Sequence, residues 1–217
     1  MAKTRHGGLR LRLTRPTPGR RRRCWGIDVK SVGIRVTPGY TAVMPHYIRA
    51  TIPGGTFFFT VALLERHRRL LVENIDILRT AFRTVHRTRP FTIDAIVILP
   101  DHLHCIWTLP ATDADFSTRW RLIKTAFARH VPTGERLSTR RQHTGERGIW
   151  QRRFWEHAIR DDTDLARHVD YIHLNPVKHG HVVQVADWPH SSFHRHVRDG
   201  MYPPDWAADA ACVIRRE

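Results

Sequence analysis

Acidic residues are scarce in this 217-residue chain: 20 Asp and Glu stand against 36 Lys and Arg, a formal net charge of +16. A polypeptide this short of acids is drawn to polyanions, and nucleic acid is the commonest of them. Cysteine is scarcer still. Cys24, Cys105 and Cys212 are odd in number, far apart and without a Cys-x-x-Cys pair. That argues against a disulfide framework or a zinc ribbon and suits a reducing compartment. No apolar run approaches the roughly 20 residues that span a bilayer, and no signal-peptide core opens the chain. A cytoplasmic location with no membrane attachment is therefore expected. Internal repeats are missing too, and the length suits one domain with a full core plus a modest extension.

What is present is unevenly spread. Nine of the first 23 residues are Lys or Arg, ending in Arg20-Arg21-Arg22-Arg23, and no acid precedes Asp28. Such a segment cannot bury enough apolar surface to offset its ordering entropy. Residues 1–43 therefore read as a disordered basic extension, a DNA-binding arm or an over-long start ahead of Met44. Residues 44–217 keep 25 bases against 19 acids, so the attraction to nucleic acid does not depend on that arm. Residues 44–200 are expected to form the domain, with 201–217 as a C-terminal tail.

Within the domain, Thr56 to Leu63 is dense in aromatic and β-branched residues and follows Pro53-Gly54-Gly55, which predicts a strand. From about Asn74 to Arg87 the apolar residues Leu71, Ile75, Leu78, Phe82 and Val85 form one helical stripe. Residues 95–99 are apolar, Pro100-Asp101 breaks the run, and a second strand follows. A second helix is predicted from Ser117 to His130, with Trp120, Ile123 and Phe127 buried. Arg119 and Lys124 flank that stripe as candidate phosphate contacts, although a merely solvated basic face fits the same pattern. Val131 to Gly148 lacks periodicity and reads as a loop. Ile149 to Ile159 reads as one or two short strands, in which Arg152 and Arg153 beside Phe154 and Trp155 could grip and stack single-stranded nucleotides. Asp161 to Asp164 opens a third helix, which Pro176 and Gly180 are expected to stop. The order of elements is α+β: an antiparallel sheet backed by helices.

The chemistry gathers at Asp101-His102-Leu103-His104. Strand side chains alternate faces, so His102 and His104 point one way while Leu103, Cys105 and Trp107 point the other. Two imidazoles side by side make half of a metal site, or are two solvent-facing histidines in a chain that has 16. On the third helix Tyr171 and Asn175 lie four apart on one face that also carries His168. They could serve as nucleophile and metal ligand, or as a packing tyrosine and a C-terminal cap.

His102-Leu103-His104 matches the His-hydrophobe-His signature of the HUH nucleases, and the surrounding segments resemble the REP-associated tyrosine transposases. These segments are Pro53-Gly54-Gly55-Thr56-Phe57-Phe58-Phe59-Thr60, Leu99-Pro100-Asp101-His102-Leu103-His104, Trp120-Arg121-Leu122-Ile123-Lys124 and Trp150-Gln151-Arg152-Arg153-Phe154-Trp155-Glu156-His157. Ile159-Arg160-Asp161, His168 to Gly180 and Asp187 to Phe193 continue the series. The resemblance runs in order from about Met44 to about Val197. His190 and Phe193 depart from it, since relatives commonly carry Trp and Tyr there, and residues 1–43 have no counterpart.

The resemblance implies a ferredoxin-like antiparallel sheet with helices packed on it, the HUH endonuclease fold. It implies that His102 and His104 bind a divalent metal, Mg²⁺ or Mn²⁺, with Asn175 as the third ligand and Tyr171 as the nucleophile. The implied activity is cleavage and rejoining of single-stranded DNA at repeat hairpins through a 5′-phosphotyrosine. The expected partner is single-stranded or hairpin DNA, with the protein a monomer or homodimer. Arg119, Lys124, Arg152, Arg153 and Lys178 are the candidate DNA contacts. The alternative is a domesticated protein that holds hairpins without cutting them. The intact His102, His104, Tyr171 and Asn175 argue against it. A plasmid-type replication initiator would bring further modules that the chain lacks.

Overall fold

The structure is a computed structural model that describes residues 51–135, 139–145 and 147–208. Contacts divide the chain into Met1–Ala50 and Thr51–Glu217. The expected basic arm, 1–43, lies outside the described residues, as does 209–217 of the expected tail.

Strand β1 (Thr56–Ala62) is followed by the helices α1 (Leu70–Glu73) and α2 (Ile75–Thr88). Strands β2 (Thr92–Ile98) and β3 (His102–Thr108) come next, then α3 (Phe116–His130), the short α4 (Thr139–Thr144) and strand β4 (Trp155–Ala158). Helix α5 (Asp162–Lys178), a 3₁₀ turn (Val185–Asp187) and α6 (Phe193–Arg198) complete the order. The four strands form one antiparallel sheet in the order β2-β3-β1-β4. This is the α+β arrangement that the element order predicts, and the ferredoxin-like sheet that the resemblance implies. The segment expected to be a loop between Val131 and Gly148 carries α4 instead. Among the described residues no helix is long and apolar enough to cross a membrane.

The sheet has two unlike faces, because period-two alternation along β1 and β3 sorts their side chains. Phe57, Phe59, Val61, Leu103, Cys105 and Trp107 face α2 and α3 and are fully buried among Leu78, Phe82, Trp120, Ile123 and Phe127. Trp107 and Trp120 stack there with ring centroids 4.2 Å apart. The other face presents Phe58, Thr60, His102, His104 and Ile106 together with Ala95 and Val97, and α5 lies against it through Leu165, Val169 and Ile172. A bulge at Asp94 keeps β2 in step, so that Ile93 and Ile96 stay with the first face and Ala95 with the second.

Helix α3 starts one residue before Ser117. Its cap is Asp115, whose Oδ1 accepts from the Thr118 amide at 2.9 Å. Helix α5 is capped by Asp161, which accepts from the Asp164 amide at 2.8 Å. Pro176 does not stop this helix but lies inside its last turn. The stop is at Gly180, whose φ of +69° suits a residue without Cβ. There the Gly180 amide bonds Val177 O and the His181 amide bonds Pro176 O, which satisfies the carbonyls at the helix end. Residues 201–208, expected as tail, belong to the fold: Tyr202 and Trp206 pack on Val177, Val185 and Phe193.

Candidate active site

His102 and His104 lie on the face of β3 that α5 covers, each 4% exposed. Their rings sit edge to face with centroids 4.9 Å apart. Neighbours that the motif alone does not reveal hold both rings. His102 Nδ1 is 2.7 Å from Asp101 Oδ1, and Arg66 bonds the other oxygen of that carboxylate. Burial alone would raise the Asp101 pKa, but the hydrogen bond from His102 and the Arg66 guanidinium hold it well below the usual range. An ionised carboxylate only accepts, so His102 donates from Nδ1, and Nε2 is the nitrogen left for a ligand bond. His104 Nδ1 is 2.8 Å from Thr60 Oγ1, its direct partner across the β1–β3 ladder. Donation from Nδ1 to that hydroxyl likewise leaves Nε2 as the ligand atom. Burial lowers the His104 pKa well below its usual value, with His102, His179, Lys178 and Arg66 acting in the same direction, so the ring is neutral at pH 7.

Helix α5 brings Tyr171 to this pair. The Tyr171 ring is 5.2 Å from the His104 ring, edge to face, and 6.0 Å from Phe58. Burial raises the Tyr171 pKa, while the nearby Asn175 side chain pulls the other way. The hydroxyl is therefore protonated at neutral pH, and its proton has to leave for it to act as a nucleophile. Lys178 Nζ lies 5.2 Å from the Tyr171 ring centroid, at the exposed end of the helix. Asn175 is fully buried, and neither its amide oxygen nor its nitrogen makes a hydrogen bond of good geometry. A buried amide without partners is costly. An amide oxygen beside two imidazole nitrogens fits a divalent cation, so the three predicted ligand residues suit the metal the resemblance implies.

His179, just past the end of α5, was not singled out from sequence. Its ring is 5.1 Å from that of His102. Burial, His102, His181 and Lys178 hold its pKa down at about 4, against a weaker pull from Asp101. Lys178 and Arg66 bring positive charge to this end of the site, partly offset by the Asp101 carboxylate that Arg66 pairs with.

No general base for the tyrosine proton can be assigned from sequence, where His168, His173 and bulk water are all open, and the structure separates the two histidines. His173 is two residues from Tyr171 and fully buried in a different pocket, with Phe193, His196 and Tyr202. His168 stays on the tyrosine's side and packs on Phe58 at 4.8 Å. It also belongs to the one cluster of three His, Cys, Asp or Glu residues among the described residues whose candidate ligand atoms all lie within 4.8 Å of one another, His157, Asp164 and His168. That group is hydrogen-bonded within itself. Asp164 Oδ2 accepts from His157 Nε2 at 2.8 Å, from the Arg160 amide and from the Arg160 side chain. His168 Nδ1 lies 2.8 Å from the Asp164 carbonyl oxygen. Burial would raise the Asp164 pKa, but these donors bring it to about 2. The group ties β4 to the first turn of α5 and so sets where the tyrosine helix lies.

The candidate DNA contacts divide sharply. Arg119 is fully buried and cannot meet a phosphate. Its guanidinium donates to the carbonyls of Arg89, Pro90 and Asp115 and to the Asp113 carboxylate. Lys124 Nζ donates to the carbonyls of Gln151 and Arg152 at 2.6 and 3.2 Å, which ties α3 to the segment before β4. Arg152, Arg153 and Lys178 are exposed.

Comparison with known proteins agrees with this geometry. No model of a known protein family matches the chain. The REP-associated tyrosine transposase of Escherichia coli (strain K12) is 53% identical over 166 residues, which is 76% of this chain and 93% of that protein. A Haemophilus influenzae protein that carries the same name provisionally is 47% identical over 173 residues, 79% of this chain and 98% of its own. Among solved structures, a REP-associated tyrosine transposase bound to a REP hairpin is 53% identical with a TM-score of 0.66. That match covers 76% of this chain and 92% of the other.

Proposed function

The chain belongs to the REP-associated tyrosine transposases and is an enzyme of that class, and from that premise we propose that it cuts and rejoins single-stranded DNA at repeat hairpins through Tyr171. The observation that carries this reading is the 5.2 Å approach of the Tyr171 ring to His104 on the covered face of the sheet. His102, His104 and Asn175 would hold Mg²⁺ or Mn²⁺. The ion supplies neutralisation of charge on the non-bridging phosphate oxygens. The hairpin in the related solved complex favours the same substrate class here.

The residues of the chain divide the work. Tyr171 Oη forms a bond to phosphorus, the bond from phosphorus to the 3′ oxygen breaks, and the departing oxygen takes a proton. The products are a 5′-phosphotyrosyl link and a free 3′-hydroxyl. Because the energy of the broken bond is kept in the link, a 3′-hydroxyl from a second strand reverses the step without ATP. Asp101 and Thr60 fix the orientation of the two imidazoles, and the His157–Asp164–Arg160 group fixes the helix that carries the nucleophile. Lys178, Arg152 and Arg153, all exposed, would meet phosphates.

The test is a denaturing gel on purified protein, a labelled hairpin from the host's repeats and Mg²⁺ or Mn²⁺. A covalent protein–DNA adduct is expected with the wild type and not with Tyr171→Phe, which should bind the DNA as before. Adduct formation by Tyr171→Phe at the wild-type rate would overturn the nucleophile assignment. Tight binding with no adduct from the wild type would favour the non-cutting alternative.

A further inference from the structure

Trp155 is the one aromatic among the large hydrophobic side chains that the described residues leave exposed, at 44%. It opens the edge strand β4. There it pairs with Thr60, which pairs on its other side with His104. Directly opposed residues in an antiparallel sheet share a face, so His104, Thr60 and Trp155 form one row across the sheet. At about 4.8 Å per strand the row puts the indole roughly 10 Å from the His104 backbone. It is on the same surface as Tyr171.

The indole is held in place rather than left loose. Its ring meets Phe58 edge-on at 5.6 Å, and Phe58 in turn packs against His104, His168 and Tyr171. His157 lies parallel to it with centroids 6.0 Å apart, and His168 lies parallel behind His157 at 4.8 Å. Asp164 fixes His157 from below. A hydrophobic core would have no use for so much order at a ring that stays in solvent. The exposed Arg152 and Arg153 come just before it in the chain, which brings cationic residues to the same stretch. An aromatic plane beside cationic groups is the arrangement that takes an unpaired nucleobase.

We propose that Trp155 is the stacking platform for one unpaired base next to the phosphate that Tyr171 attacks, so that it fixes the register of the strand in the site. The inference rests on the DNA-cutting reading above. It adds the residue that sets which phosphate is presented.

The test uses the full chain and fluorescence anisotropy with two labelled DNAs. One is a hairpin from the host's repeats with its natural single-stranded flank, and the other is the same hairpin without the flank. Trp155→Ala should weaken binding of the flanked hairpin roughly 10- to 100-fold, the range for losing one stacked base. Binding of the bare hairpin should be unchanged, and Trp155→Phe should recover most of the loss. Replacing the flanking nucleotides one at a time by abasic sites should cost the wild type the same factor at one position and cost Trp155→Ala nothing more there. Thermal unfolding of both variants controls for folding. Equal weakening on both DNAs, losses that add between the variant and every abasic site, or a wild type that does not distinguish the two DNAs would overturn the proposal. Coupling at one abasic position without any covalent adduct would uphold the platform and sink the cutting reading. An adduct without coupling would do the opposite.

Discussion

Replacing Arg119 by Met separates a structural role from a DNA-binding one. The guanidinium is fully buried and makes four hydrogen bonds, three to main-chain carbonyls and one to Asp113 at 2.7 Å. Methionine keeps most of the aliphatic volume but strands the acceptors. Asp113 and the carbonyls of the exposed Arg89 and Pro90 partly rehydrate, so each of the four stranded acceptors costs near the low end of the range. At about 1–3 kcal/mol for each unsatisfied buried group, with partial relaxation, the expected loss is about 3–5 kcal/mol. A domain of roughly 150 residues has an unfolding entropy near 0.3 kcal/mol per kelvin, so Tm should fall by about 10–15 °C. Circular dichroism on heating reads this directly. Hairpin affinity, measured well below the lowered Tm, should stay within about twofold. Arg153→Met is the control at an exposed position: it should leave Tm within about 2 °C while it weakens DNA binding and flattens the salt dependence. An unchanged Tm with a tenfold loss of affinity for Arg119→Met would refute the assignment.

Two further outcomes follow from the groups around the site. Asp101→Ala removes the acceptor that holds His102, so Mn²⁺ affinity measured by calorimetry should fall roughly 10- to 100-fold. Unchanged affinity would show that His102 needs no support. Stability should also decline as pH falls below about 6.5. Burial lowers the pKa of His104 and brings that of His173 to about 3 and that of His179 to about 4. In the window between those values and 6.5 the unfolded chain binds protons that the folded one does not, so stability is full above 6.5 and is lost on acidification. Urea unfolding at several pH values should show a shallower slope in His173→Phe. An identical slope would mean that this ring is charged in the fold.

Much of the fold is written in local pattern. The dense run Phe57-Phe58-Phe59 can only be a strand buried on both faces, and the alternation after Pro100-Asp101 puts His102 and His104 together on one face, as they are found. The helical repeat puts Tyr171 and Asn175 on one face, but their roles come only from the family resemblance. Arg119 was misjudged by its charge, although its spacing held the answer: it precedes Ile123 and Phe127 by four and eight residues and so sits on their stripe. Pro176 misleads in the same way, because a proline in the last turn costs one hydrogen bond and does not outweigh the packing of Ile172 and Val177. Thr60 at His104, and His157 with Asp164, were out of reach for another reason. Strand register and loop closure bring them together, and no local spacing encodes either.

Helix α5 folds back on the sheet of its own chain, so the tyrosine and both histidines are carried by a single polypeptide. In genetic terms, if His102 and Tyr171 act as proposed, lesions at the two should fall in one complementation group. Two copies of the gene, each broken at one of these positions, should not restore strand transfer when expressed together. Any rescue would have to come from chains that exchange this helix.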